Sequence, residues 1–320
     1  MKRYCVRGLL VILAAATFFL SPAFAQQKQL MFTTGAMGGG FYAIGGGMSA
    51  YISKAVKGVA VTAQSSGGVN ENINRLDTGV ADLALSSHWD AYQAFRGEGQ
   101  FKKKFTNMLG LGILFKNWSE PYVLKSSGIK TFADLKGKKV SVGAAGGSMH
   151  KFMSMYLKAH GIDPEKDVKL VYLPPMEAID SIRNGQIDAV MEIAGIPTAA
   201  IIDLSTTNPV SIVEFAPGVR EKFLQDNPMF VSLTIPANTY KGVEKDVPTV
   251  GMLAIWACVR DLPEDTVYQM VKAIYSDEGL AYLRSVHAAG QSITREDAAK
   301  NMPIPLHPGA IKYYKEAGLL

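Results

Sequence analysis

Cysteine is nearly missing from this chain, with two in 320 residues. Cys5 sits in an apolar leader at the start. Once that leader is removed, no disulfide can form within one chain. Cys258, flanked by Leu253 to Ala257 and by Val259, reads as a small hydrophobe in a buried strand; a nucleophilic thiol needs an exposed, electropositive setting. Metal-ligand patterns are missing too. His88, His150, His160, His287 and His307 are scattered, with no His-x-x-x-His and no cysteine cluster, so no metal site is expected, and each histidine reads as a surface or supporting residue. There is no Gly-x-Ser-x-Gly elbow and no Gly-Lys-Ser/Thr phosphate loop. Ser65, Ser66, Ser86 and Ser87 have no base and orienter near them in sequence. No catalytic residue and no cofactor is expected, and the chain is read as not an enzyme.

Charge of one sign is also missing. The formal net charge is +5, and the leader holds Lys2, Arg3 and Arg7 with no acid, which leaves +2. No basic run with interleaved aromatics exists, so no nucleic-acid partner is expected. The leader has a basic head, an apolar run from Gly8 to Leu20, and Ala23-Phe24-Ala25 at a signal-peptidase site. That run is short against the ~20 residues of a spanning helix. Residues 1–25 are expected to be a signal peptide cleaved after Ala25, with the mature chain in the periplasm. No cysteine follows closely enough for a lipoprotein anchor, and no later stretch is long and apolar enough to span a bilayer.

What the chain has in abundance is glycine at one corner. Met31 to Gly47 runs from an apolar strand through Gly35, Gly38, Gly39 and Gly40 into a helix. Glycines admit close approach of a ligand to the backbone, and the free N–H groups of a first helical turn attract anions. Gly38-x-Gly40-x-x-Ala43 also fits the loose dinucleotide fingerprint. The next strand ends in Gln64-Ser65, however, with no acid for a ribose, and an exported protein rarely meets NAD.

The same syntax occurs twice. The first half reads strand, glycine turn, helix, strand Val59 to Ala63, turn Ser65 to Gly68, a helix carrying Val69, Ile73 and Leu76 on one face, then Gly79-Val80-Ala81-Asp82 and apolar residues. The second reads strand Val140 to Val142, turn Gly146-Gly147-Ser148, helix, strand Val168 to Leu173, helix, then Gly185-Gln186-Ile187-Asp188 and apolar residues. Two βαβαβ lobes are the economical reading. In the second, Met149, Phe152, Met153, Tyr156 and Leu157 form one apolar stripe behind Ser148 as N-cap. Gly79 and Gly185 read as helix stops. Asp261 to Asp265 predicts a helix capped at Asp261, while Pro303, Pro305 and Pro308 predict irregular chain up to a short helix from Ala310 to Glu316. No linker of serine, glycine and proline divides the lobes, so strands or loops that bend as a hinge are expected to join them. Lobe I is assigned 26–118 with 236–320, and lobe II 119–235. Two α/β lobes with facing helix N-termini and no catalytic set suggest a venus-flytrap binder.

At this point the chain resembles the solute-binding proteins of tripartite ATP-independent periplasmic (TRAP) transporters, in the TAXI branch. The resemblance rests on Thr34-Gly35-Ala36-Met37-Gly38-Gly39-Gly40-Phe41-Tyr42-Ala43-Ile44-Gly45-Gly46, Ser66-Gly67-Gly68 with Glu71-Asn72, Phe132 to Lys138, Gly195-Ile196-Pro197, Asp246 to Val250 and Pro305 to Ala310. It implies a two-lobed, type II-like periplasmic-binding-protein fold, a small organic-anion ligand in the cleft, and a TRAP membrane permease as partner to a monomer. Carried over, the ligand-binding residues are Gly38, Gly40, Phe41, Tyr42, Ser66, Gly67, Asn70, Ser86 and Ser87 in one lobe, and Ser148, Ala194 and Gly195 in the other. The chain departs from the pattern at Ser86-Ser87-His88-Trp89-Asp90 and at Gly147-Ser148-Met149-His150, which adds His88, Met149 and His150 to that set. Two histidines in place of an acid make the pocket less negative and favour a dicarboxylate or oxo acid, with a glutamate-like amino acid next. A bilobal sensor feeding a signalling partner is the alternative, and it lacks a DNA-binding or membrane-signalling segment within these residues.

Overall fold

The computed structural model describes residues 27–320 other than 36, 38 and 144–148. The leader, Gly38 and Ser148 therefore lie outside the described residues. Lobe I opens with β1 (Lys28–Thr33), α1 (Gly40–Ala55), β2 (Val59–Gln64), α2 (Val69–Asp77) and β3 (Leu83–Ser87), where β1 pairs in parallel with both β2 and β3. Through α3 (His88–Arg96) and β4 (Met108–Leu124) the chain enters lobe II. There the plan repeats in β5 (Lys139–Ser141), α4 (Met149–Ala159), β6 (Lys169–Val171), α5 (Pro175–Arg183) and β7 (Ala189–Ala194), with β5 parallel to β6 and β7.

The repeated Gly-x-x-Asp motif does the same work in both lobes. Gly79 and Gly185 take φ values of +70° and +69°, a region that favours glycine. The amides of Gly79 and Val80 bond back to Leu76 and Arg75, and those of Gly185 and Gln186 to Ile182 and Ser181. This is the Schellman closure of a helix. The aspartate that follows then grips the first strand of its lobe from both sides. Asp82 donates its amide to the Met31 carbonyl and accepts the Met31 N–H on its carboxylate at 2.8 Å; Asp188 does the same at Lys139, also at 2.8 Å.

Two long strands join the lobes. The 17-residue β4 and the 13-residue β10 (Val247–Val259) run antiparallel through the whole molecule. In lobe I, β10 lies between β3 and β4; beyond Trp118, β4 pairs instead with β7 and with β8 (Val210–Ile212), and before Gly251, β10 pairs with β9 (Val231–Ile235). The resulting order is β2-β1-β3-β10-β4-β7-β5-β6. Partners change at the Gly251–Trp118 register point. A Cβ on Gly251 would overlap the Asn117 carbonyl oxygen and Leu233 Cδ1, so only glycine lets the strands meet there.

Each lobe buries both faces of its sheet. In lobe I, Phe32, Ile44, Met48, Trp256 and Tyr314 pack beneath α1, α8 (Glu264–Ile274), α9 (Asp277–Val286) and α10 (Pro308–Glu316), while Ile73, Leu76, Ala91 and Ile255 fill the other face under α2 and α3. In lobe II, Phe152, Tyr156, Phe223 and Phe230 lie with α4 and α7 (Val219–Asp226), and Ile179, Ile182, Ile201 and Leu204 with α5 and α6 (Ala199–Thr207). Cys258 is buried in β10, as its apolar neighbours predicted. Two expectations at the C-terminal end need correction. The N-cap of α8 is Pro263 and not Asp261. Pro308 occupies the first turn of α10 and does not delay it, because a first-turn residue has no helical partner for the N–H that proline lacks. His307 is correspondingly not a surface residue: it is buried, its Nδ1 accepts the Gly309 N–H at 3.1 Å, and its Nε2 donates to the Leu262 carbonyl at 3.0 Å.

Removing either aspartate grip strands a backbone N–H of an interior strand. Asp82→Ala and Asp188→Ala should each lower stability by about 1–3 kcal/mol, and the asparagine variants by less, read as a shift of the urea midpoint.

Candidate functional site

The C-terminal edges of the parallel strands carry the N-termini of six helices, α1, α2 and α3 in lobe I and α4, α5 and α6 in lobe II. These two edges meet. Gly195, just past β7, leaves no room for a side chain: its Cβ would stand 2.9 Å from Cβ of Ala289, in the 3-10 turn Ala288–Ser292 of lobe I. His287 caps that turn through Nδ1, and its ring lies beside Gly40, where a Cβ would be 3.4 Å from Cε1.

Around α1 the arrangement suits an anion. The N-cap Gly39 offers no side chain, and the first turn holds no acid, so no group of the helix itself neutralises its N–H groups. Phe41 packs edge-on against Phe115 at 5.4 Å and belongs to the core, whereas Tyr42 is 38% exposed. Across the cleft, His150 lies 5.6 Å from Tyr172, which is 46% exposed, and the first turn of α5 exposes Met176 to 67%. Met149 is half-buried over Gly143, and Ala194 and Gly195 are half-buried at the end of β7.

Other predicted site residues have partners of their own. The Gly67 N–H donates to Glu71 at 2.6 Å, Ser66 Oγ accepts from the Gly68 amide, and Asn70 forms a reciprocal amide pair with Gln100. Ser86 is buried with its hydroxyl on the Ser87 carbonyl. Ser87 caps α3: its Oγ accepts the Asp90 N–H at 3.0 Å and donates to the Asp90 carboxylate at 2.5 Å. His88 is buried with Nε2 on the Asn301 carbonyl at 2.6 Å, and burial lowers its pKa. It therefore supplies no positive charge near neutral pH.

Four features went unread in the sequence. Asn72 is wholly buried and bonds Thr33 Oγ1 and the carbonyls of Thr34 and Leu85, tying β1 to β3 beneath the cleft. Trp89 reaches from lobe I into lobe II, with its ring 5.5 Å from Phe230 and 6.2 Å from Phe152, and Lys151 of α4 stands 4.8 Å above it. Lys151 also donates to Gln93 at 3.2 Å. Behind this clasp, burial raises the Asp90 pKa, and the bond from Ser87 and the charge of Lys151 oppose that rise. Finally, Glu120 of β4 and Glu192 of β7 stand opposite each other in the antiparallel register. Burial and the nearby Glu192 charge push the Glu120 carboxyl well up, and burial pushes Glu192 to about 7. The signal for these acids was a lone glutamate in an apolar strand, as in Val190-Met191-Glu192-Ile193-Ala194.

Two surface depressions, of about 460 and 450 Å³, lie around Lys158 to Glu165 and between α4 and α7. Both flank the far end of α4 from Met149, and no set of helix N-termini converges on them, so the cleft is the candidate site.

Two lobes hinged on crossing strands, with helix N-termini opposed, define the bilobal periplasmic-binding-protein class. The chain belongs to the NMT1-like family, whose model matches residues 32–318. MatC (Rpa3494) from Rhodopseudomonas palustris, solved with bound malate, is similar in fold: 13% identical, TM-score 0.55, covering 91% of this chain and 96% of that one. XAC2383 from Xanthomonas citri, solved with ATP, has the same TM-score of 0.55 at 10% identity, covering 91% of this chain and 96% of that one. Among curated proteins, the nitrate/nitrite binding protein NrtA of Synechococcus elongatus is 35% identical over 89 residues, or 26% of this chain. The match spans only a fifth (20%) of NrtA's length.

Two predictions follow from the geometry. Trp89→Ala should cost about 2–4 kcal/mol and speed amide exchange around Phe230, the lobe II side of the clasp. For Glu192, burial pushes the folded carboxyl to about 7 against an ordinary value of 4.5, so between those values the folded protein holds a proton that the unfolded chain releases. Its contribution is therefore full below the unfolded pKa and lost as pH rises through about 7. Glu192→Gln should flatten that slope and be the more stable form at pH 8, by roughly 2 kcal/mol at ~1.4 per pH unit after screening, measured by urea titration across pH 4 to 8.

Proposed function

We propose that this chain is an exported, monomeric solute-binding protein that closes on a small organic anion and hands it to a membrane permease, and that it is not an enzyme. The observation that carries the reading is the opposition of two helix-N-terminal edges across a two-strand hinge, with uncapped α1 and exposed Tyr42 on one side and His150 and Tyr172 on the other. Backbone N–H groups satisfy carboxylate oxygens, Tyr42 donates while its ring covers the carbon chain, and closure removes water from each contact. Gly38, Gly40, Ser148, Ala194 and Gly195 take part through backbone and hydroxyl. Ser66, Gly67 and Asn70 form the wall at α2, where a ligand must exchange for Glu71 or Gln100. Ser86, Ser87 and His88 act from behind. The TRAP type of permease and the periplasmic location are proposed from the TAXI motifs and the leader. The preference for a dicarboxylate or oxo acid over an amino acid needed positive charge from both His88 and His150; burial of His88 removes one of those supports, which leaves a carboxylate-bearing ligand as the class.

Native mass spectrometry of the protein purified from a periplasmic extract tests this. The expected result is a chain beginning at Gln26, with one small acidic adduct lost on unfolding and restored on adding the compound back. At a hundredfold excess over Kd the compound should stabilise the fold by about 2.7 kcal/mol. No adduct, together with no thermal shift in an organic-acid screen, would sink the binder reading.

A further inference from the structure

The two acids on adjacent strands have no counter-charge. Among the described residues, neither Glu120 nor Glu192 has an ion-pair partner. Glu120 is wholly buried. Its Oε1 accepts the Tyr240 hydroxyl proton at 2.8 Å, and the same hydroxyl accepts the Thr198 N–H at 3.0 Å, just ahead of α6. Its Oε2 has no hydrogen-bond partner among the described residues. Glu192, directly across the ladder, is only half-buried, and it lies three residues before Gly195, where lobe II meets lobe I. The pair is thus closed on the Tyr240 side, and Glu192 is its accessible member.

We infer that Glu120 and Glu192 form the subsite for a cationic nitrogen of the ligand, so that the captured molecule carries an ammonium or similar group besides its carboxylate. An unpartnered buried acceptor is costly and calls for a donor. A protonated amine supplies up to three N–H donors to the free Glu120 oxygen and to Glu192. A hard metal ion fits poorly: such ions take six or more oxygens, Tyr240 already occupies one here, and no group of three or more potential metal ligands stands together among the described residues. The titratable neighbours facing the pair are Tyr122, raised by burial and by both carboxyls, and Tyr240, raised by burial and by Glu120. Burial pushes both carboxyls up, Glu192 to about 7, so without a cation the pair retains bound proton. An arriving ammonium displaces it to solvent, leaving two carboxylates around one cation. The inference rests on the cleft being the ligand site and reverses the ligand preference drawn from the sequence.

Isothermal calorimetry at pH 7, in two buffers of different ionisation enthalpy, tests it with L-glutamate and L-aspartate against 2-oxoglutarate and oxaloacetate. These pairs keep the carboxylates and exchange the ammonium for a carbonyl oxygen. An amino acid should bind at least ten times more tightly than its oxo partner and release a fraction of a proton up to one. Glu192→Gln and Glu120→Gln should abolish both the preference and the release. An oxo acid that binds as tightly as its amino partner in the unmodified protein, or amino-acid binding without proton release, overturns the inference while leaving the binder reading intact. Where none of the four binds, the adduct from native mass spectrometry decides: a basic nitrogen in its formula supports the subsite, and its absence overturns it. No adduct and no binding removes the cleft reading and the subsite together.

Discussion

The contact on which the rest depends is the crossing of β4 and β10 at Trp118 and Gly251, where the two backbones come too close for any side chain at position 251. Everything on one side of that point pairs into lobe I and everything on the other into lobe II. Because both lobes hang from the same two strands, their parallel strands end at edges that meet, and each right-handed crossover delivers its next helix N-terminus to that edge. A pocket between the lobes is therefore a consequence of sheet topology. Register shifts in the β10–β4 ladder between Leu253 and Ile255, and between Trp256 and Ala257, lie next to the crossing and let the sheet coil there.

Much of this was legible because it is local. The Gly-x-x-Asp pair announced two equivalent units, and the structure gives both motifs the same Schellman closure and the same bidentate grip on a first strand. The helix stripe Phe152, Met153, Tyr156 and Leu157 was equally plain and is buried as written. What escaped is long-range. β10 and the two ends of β4 are apolar runs without the alternation that marks a half-buried strand, since they lie inside the sheet with both faces covered, while Lys116 to Pro121 interrupt β4. Nothing in either segment says that it changes partners halfway along.

The site was legible in outline and not in its wiring. Glycine and serine at helix starts mark an anion corner, yet the same atoms also satisfy the protein. Ser87 closes a cap on Asp90, and Gly67 is held by Glu71. Which of these residues faces ligand is decided by Asn72, Gln100 and Glu71, whose types carry no signal of their own. The buried acids escaped for the opposite reason. Glu120 precedes a proline and Glu192 sits among apolar residues, and a single charge in a strand is ordinarily an outward-facing residue. Only the pairing of β4 with β7 sets the two side by side.

The clasp at Trp89 bears on how such a cleft holds its ligand. A binding protein whose competent state is sparsely populated loses affinity in proportion, since the ligand must supply the free energy of closure. Here the lobes already touch at two places: the indole packs against Phe152 and Phe230 with Lys151 above it, and Gly195 abuts Ala289 on the α1 side. An aromatic pair contributes about 0.5–1.5 kcal/mol beyond its buried area, and the cation above the ring about 0.5–1 more at an exposed site. These contacts need no ligand. They reduce the ordering that binding itself has to impose.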